Sequence, residues 1–216
     1  MLTGKSEIDR SSVTGLVVWL TIQLAALGMS AARMTFWARA PQATEQLALI
    51  VMLAVQIGTS ALIFPHLLGT VRATLLAVAS GWPMALLAAE MSDASWAVLI
   101  RSEIYVSIWL TSLHLWTPAL PTQRAKLLAT TIAATISLGG PVLWYLQMEF
   151  SKGGQQPELD SFPAFGPLSG AISQTFARFN FESWIQLTII FCVGATAFMG
   201  ASRNRRSSEF SRQVIH

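Results

Sequence analysis

Long unbroken apolar runs dominate the chain, in place of the alternating pattern of a strand or the narrow stripe of a soluble helix. The first covers residues 13–32 (VTGLVVWLTIQLAALGMSAA) and the second residues 46–64, closed by Pro65. The third begins near Leu67 or Ala73 and ends at Glu90. The fourth lies within 96–120, between Trp96 and Trp116 and the stops Pro118 and Pro121. The fifth covers 127–147 and the sixth 184–201. About 20 helical residues cross the hydrocarbon core of a bilayer, so the pattern predicts an all-α bundle of six transmembrane helices. The first run is longer than a signal-peptide core, and Glu7 and Asp9 dilute the basic residues before it, so it is expected to stay as an uncleaved helix.

Composition narrows the class further. Of 216 residues, 53% are hydrophobic and 12% charged, about half the ionic content of a soluble domain. Disorder, a coiled coil and an ordinary soluble enzyme are excluded, and six spans leave no room for a large soluble domain. The net charge of +3 is placed by position. With the amino terminus inside, nine of the 14 Lys and Arg fall on inner segments, among them Lys5, Arg10, Arg72, Arg124, Lys126 and the cluster Arg203, Arg205 and Arg206. Arg33, Arg39, Arg101, Lys152 and Arg178 fall outside. The positive-inside rule then puts both termini in the cytoplasm of a bacterial-type inner membrane. The organisation expected is a single integral domain. It has a tail at 1–12, five helices within 13–147, an external loop at 148–183, the sixth helix at 184–201 and a basic tail at 202–216. The terminal basic cluster reads as a juxtamembrane lipid contact, not a nucleic-acid site.

The loop at 148–183 is unusual. After Gly153, Gly154 and Pro157 comes SFPAFGPLSGAISQTFARFNF, in which Phe162, Phe165, Leu168, Ile172, Phe176 and Phe179 recur every three or four residues. That spacing predicts a short amphipathic or re-entrant helix that folds onto the bundle or dips into the outer leaflet, because bare backbone is not tolerated in lipid. Phe162, Phe165, Phe176 and Phe179 would form an external cap.

Candidate chemistry is sparse. Metalloprotease, nucleophile-elbow, P-loop and dinucleotide motifs are absent. Ser169 in GPLSG lacks a histidine expected on its side of the membrane to act as base. His66 and His114 both fall near inner helix ends, where two imidazoles from different helices suit a haem iron, although their depths differ by about 8–10 Å. The alternative is that each hydrogen-bonds a neighbouring helix. Arg101 and Glu103 have two placements. Either the fourth helix starts after Glu103, or both lie inside a span and line a polar cavity, with Glu90 and Asp93 as partners for Arg101. Gly81-Trp82-Pro83 and Gly139-Gly140-Pro141 break the third and fifth runs, as in helices that line transport sites or as in inert kinks. Gln23 and Gln56 are candidate interhelical hydrogen-bond partners. Trp19, Trp82 and Trp109 are expected to pack between helices, and the single Cys192 to be a small buried residue. No metal site is expected.

This layout resembles an ABC-2-type permease. The resemblance implies six helices, cytoplasmic termini, a membrane-dipping segment before the last helix, and a connection after the second helix that couples to an ATPase. The stretch FPHLLGTVR, with His66 and Arg72, would hold the coupling position. Three functions follow as expectations: the transmembrane half of an exporter working with a separate ATPase, a non-catalytic subunit or scaffold of a larger membrane complex, or a haem or quinone anchor. The expected partners are lipids and other subunits in a homo- or hetero-oligomer, with no catalytic residue in this chain. The orientation has a direct check. A carboxyl-terminal reporter enzyme active only outside the cytoplasm should remain silent, whereas activity would reverse the assigned topology.

Overall fold

A computed structural model of the chain describes residues 10–36, 47–150, 166–175 and 181–214. Seven α-helices account for nearly all of them, and no strand occurs among the described residues. They are α1 (Arg10–Phe36), α2 (Leu47–Leu67), α3 (Val71–Met91), α4 (Trp96–Trp116), α5 (Gln123–Phe150), α6 (Pro167–Ser173) and α7 (Phe181–Val214), with a 3-10 turn at Thr117–Ala119 after α4. Five helices are long and apolar enough to cross a membrane: α1, α2, α3, α5 and α7. The fourth has the same 21 residues as α2 and α3 but carries Arg101, Glu103 and His114.

Short polar side chains set the helix limits. Thr70 caps α3 by accepting from the Ala73 amide at 3.1 Å, which fixes the start that the third run left open. Ser95 caps α4 through the Val98 amide. The helix therefore starts at Trp96 and passes unbroken through Arg101 and Glu103, which overturns the placement beginning after Glu103. One cap reaches across the bundle. Ser92, after the end of α3, accepts from the Leu49 amide at the start of α2 at 3.0 Å, so one side chain satisfies a helix end that water would otherwise have to serve. Pro65, Pro83 and Pro141 lie inside continuous helices, and neither Gly-Pro break unwinds its helix. The basic stretch after the sixth run also differs from a loose tail: α7 continues helically to Val214.

Helices consecutive in sequence from α1 to α4 run antiparallel to one another, and α7 runs parallel to α4. Gly15 of α1 backs onto His66 and Leu67, and His114 near the end of α4 bonds the Leu68 carbonyl at 2.7 Å, so these segments share one end of the bundle. Farther along α7, Gly194 packs on Trp116 at that same end. The opposite end holds the start of α4, the start of α7 and the short helix α6, which packs among α2, α4, α5 and α7.

The distribution of polarity is inverted relative to a soluble protein. Gln23, Gln56, Ser60, Ser102, Glu103, Ser112 and Ser137 are all buried, whereas Leu75, Leu127 and Ile189 are among many large apolar side chains facing outward. Small residues let the inner helices approach: Ala77, Gly81, Ala85 and Ala88 form one buried face of α3. A soluble monomer does not expose apolar area on this scale; lipid is the solvent that makes it neutral. The chain is a multi-pass membrane protein. Trp19 and Trp109 lie in the core and Trp82 is half-buried, while Cys192 is exposed on the outer face of α7 and not buried as its apolar run suggested.

The entry to α6 depends on Gly166. Its φ of 86° and ψ of 161° lie in a region essentially restricted to glycine, and a Cβ there would run into the Ile136 carbonyl oxygen of α5. Gly166→Ala is expected to lower stability by about 1–3 kcal/mol, read as a depressed thermal midpoint in detergent. Gly28→Ala, where a Cβ meets nothing within 4 Å, should stay within about 0.5 kcal/mol of the parent.

Candidate functional site

The most concentrated polar chemistry sits at mid-depth between α1, α2, α3 and α4. Gln23, Gln56 and Gly81 each lie near the middle of their helices, and Glu103 lies about 10 Å along α4 at 1.5 Å per residue. The Gln56 amide nitrogen is the hub. It donates to Gln23 Oε1 at 3.1 Å and to the Gly81 carbonyl at 3.2 Å, and it also faces the Glu103 carboxyl. Gln23 and Gln56 thus act as the interhelical pair expected of them. Gly81 makes the approach possible: a Cβ there would come to 3.3 Å from Gln56 Nε2, 3.4 Å from the Trp19 ring and 3.7 Å from Glu103 Oε2.

All four side chains of this cluster are within 1% of complete burial. Even so, the hydrogen bonding is incomplete. Trp19 Nε1, Gln23 Nε2, Gln56 Oε1 and Glu103 Oε1 have no hydrogen-bond partner among the described residues. Buried polar groups in native proteins are nearly always paired, so these four unpaired atoms, one of them on the carboxyl itself, set this region apart from ordinary packing.

A second polar group ties down α6. Arg101 donates from Nε, at 3.1 Å, and from its guanidinium nitrogen to the carbonyl of Gln174, the residue that ends α6. A cation at a helix carboxyl terminus satisfies an orphan carbonyl and the helix dipole together. Trp184 Nε1 donates to Gln174 Oε1 at 3.2 Å, and its ring meets Tyr105 edge-on at 5.4 Å. At the other end, the Gly166 amide donates to Gln186 Oε1 at 3.0 Å. Gly170 lies so close to Tyr105 that a Cβ would run into its hydroxyl. The result is that Leu168, Ser169, Gly170, Ala171, Gln174 and Thr175 are buried.

The expected polar cavity of Arg101, Glu103, Glu90 and Asp93 is not assembled. Residues two apart on an α-helix point to nearly opposite sides, about 200° apart. Arg101 faces α6 together with Tyr105, one turn on, while Glu103 faces α1, α2 and α3. Glu90 and Asp93 are exposed at the end of α3, and Arg101 reaches Gln174 instead of either. His66 and His114 share one end of the bundle but face different neighbours. His66 is exposed in a groove with Thr14, Gly15 and Ile63, and His114 is half-buried with Nδ1 at the Leu68 carbonyl. Arg72 is exposed at the start of α3. Phe162, Phe165, Phe176 and Phe179 lie outside the described residues. Ser169 is buried and its hydroxyl has no partner among the described residues.

Sequence reasoning did not find Trp19, Gly81, Gln174 or Gln186. A signal for Trp19 exists, since it lies one turn before Gln23 on the same face of α1. In the sequence, Gly81 reads only as part of a helix break. No family model, curated protein or solved structure matches this chain.

If Arg101 holds α6 in place, Arg101→Ala should loosen it. Hydrogen bonds from a charged group contribute about 1.5–3 kcal/mol. In a Cys192→Ser background, a cysteine placed by Ser169→Cys should resist a membrane-impermeant thiol reagent. It should label at least tenfold faster once Arg101→Ala is added; unchanged protection would show that the remaining contacts hold α6 alone.

Proposed function

We propose that this multi-pass protein is a transport subunit, with α1 to α5 and α7 crossing the bilayer, both termini in the cytoplasm and α6 at the outer end. The observation that carries the reading is Glu103, a carboxyl buried among Gln23, Gln56 and Gly81 at mid-depth. Insertion of an acidic residue at the centre of a span costs about 2.5–3.5 kcal/mol, and such residues mark ion, proton and substrate pathways. Packing alone gives no reason to place one there, since a leucine of similar bulk would fill the space without that cost. The layout shared with ABC-2-type permeases supports an exporter that works with a separate ATPase at the end bearing His66 and Arg72.

The alternative is a non-catalytic subunit of a larger membrane complex. It is favoured by the α2–α3 connection, which is a tight turn: Leu67 and Leu68 are fully buried, and Thr70 already caps α3. Little backbone projects there for an ATPase to grip. Affinity purification in mild detergent, followed by mass spectrometry and a nucleotide-hydrolysis assay, separates the two. Recovery of an ATPase subunit with hydrolysis is expected for the exporter. Stoichiometric recovery of other membrane subunits without hydrolysis would overturn it in favour of the scaffold.

A further inference from the structure

The surroundings of Glu103 point to a bound proton. Three oxygens surround the Gln56 amide nitrogen: Gln23 Oε1, the Gly81 carbonyl and the Glu103 carboxyl. An amide nitrogen has two hydrogens, and both are used on the first two oxygens. Glu103 Oε1 has no partner among the described residues, and the side chain is 1% exposed. An ionised carboxylate in that position would be an isolated buried charge, which is costly unless it is paired.

Among the described residues, no cation is positioned to pair with it. The groups facing Glu103 are Trp19 and Gln23 from α1, Gln56 from α2 and Gly81 from α3, none of which titrates. On α4 itself, Arg101 points to the opposite side and bonds Gln174, and Tyr105 packs on Trp184 and Gly170. A metal cation does not fit either. The place between the oxygens, where such an ion would sit, is filled by the Gln56 nitrogen at 3.1 and 3.2 Å.

We propose that Glu103 is a proton-binding site in the interior of the bundle, holding a proton in this structure. Protonation removes the charge from a carboxyl that is buried and faces no cation among the described residues. Release breaks the carboxylic O–H bond, passes the proton to an entering water and leaves a carboxylate. The carboxylate is tolerated only once α4 parts from α1 and α3 and admits solvent. Protonation and helix packing are thereby linked at one residue. The proposal rests on the transport reading only in placing the bundle in a bilayer.

Infrared spectroscopy reads the protonated group directly. The full chain, purified in detergent at neutral pH, should show a carboxylic-acid C=O band that is lost in Glu103→Gln. The band should also shift in Gln56→Leu, which removes the neighbouring amide. Identical carboxylic-acid regions in the parent and Glu103→Gln would mean that Glu103 is ionised, and would overturn the proposal. Should Glu103→Gln fail to fold, as judged by circular dichroism, Gln56→Leu decides: a shifted band supports the site, and an unshifted or absent band refutes it. The spectrum does not depend on which subunits co-purify, so this proposal and the exporter reading fail separately.

Discussion

Everything inside this bundle is constrained by the absence of water. In lipid a polar group must find its partner within the protein, and the Gln56 amide is where three helices meet that demand together. By bonding Gln23 on α1 and the backbone of Gly81 on α3, it fixes their relative depth along α2. Apolar packing between lipid-soluble helices is poor at setting register, because sliding one helix along another trades similar contacts for similar contacts. A directional amide at the midplane removes that freedom. The small face of α3, from Ala77 to Ala88, then lets the backbones come near enough for the bond to form.

The two ends of the bundle are fastened by other means. At one, the Leu68 carbonyl receives His114 and the Gly15 backbone lies against His66 and Leu67. At the other, Ser92 closes the start of α2, and α6 is held by Arg101, Trp184 and Gln186. These contacts are few, and those of His114, Gly15, Ser92 and Arg101 link elements distant in sequence. Between them the described surface of the bundle is mostly aliphatic, which suits contact with lipid.

Much of this architecture was legible in the residues. Run length marked every long helix, because about 20 apolar residues have few other structures open to them. Prolines and tryptophans marked several limits, and the polarity of Gln23 and Gln56 inside apolar runs announced an interhelical bond. The site was less legible, for a geometric reason. Arg101 and Glu103 are adjacent in the text and suggest a shared purpose, but the turn of the helix sends them to opposite faces. Glu90 and Asp93 look like partners through sequence proximity to a helix end, although both stand exposed there and Arg101 bonds Gln174. Gly81 was hidden for another reason. A glycine beside a proline reads as a break, whereas its role is the space it leaves for Gln56, Trp19 and Glu103. No pattern in one helix reveals what the neighbouring helices bring.

The make-up of the midplane cluster also bears on how the protein is born. Its members come from α1, α2, α3 and α4 in turn, so they leave the ribosome in the order in which they join. Gln23 enters the membrane with its amide unmatched, Gln56 and Gly81 complete the first bonds, and Glu103 arrives last. Chains fold from the amino terminus during synthesis. The polar centre can therefore assemble from four helices before α5 is made. The later helices α5 and α7, with α6 between them, are then added to a unit already set in depth. Stalling after α1 would leave the Gln23 amide without the partner that α2 brings, whereas after α3 the bonds from Gln56 to Gln23 and Gly81 can already close.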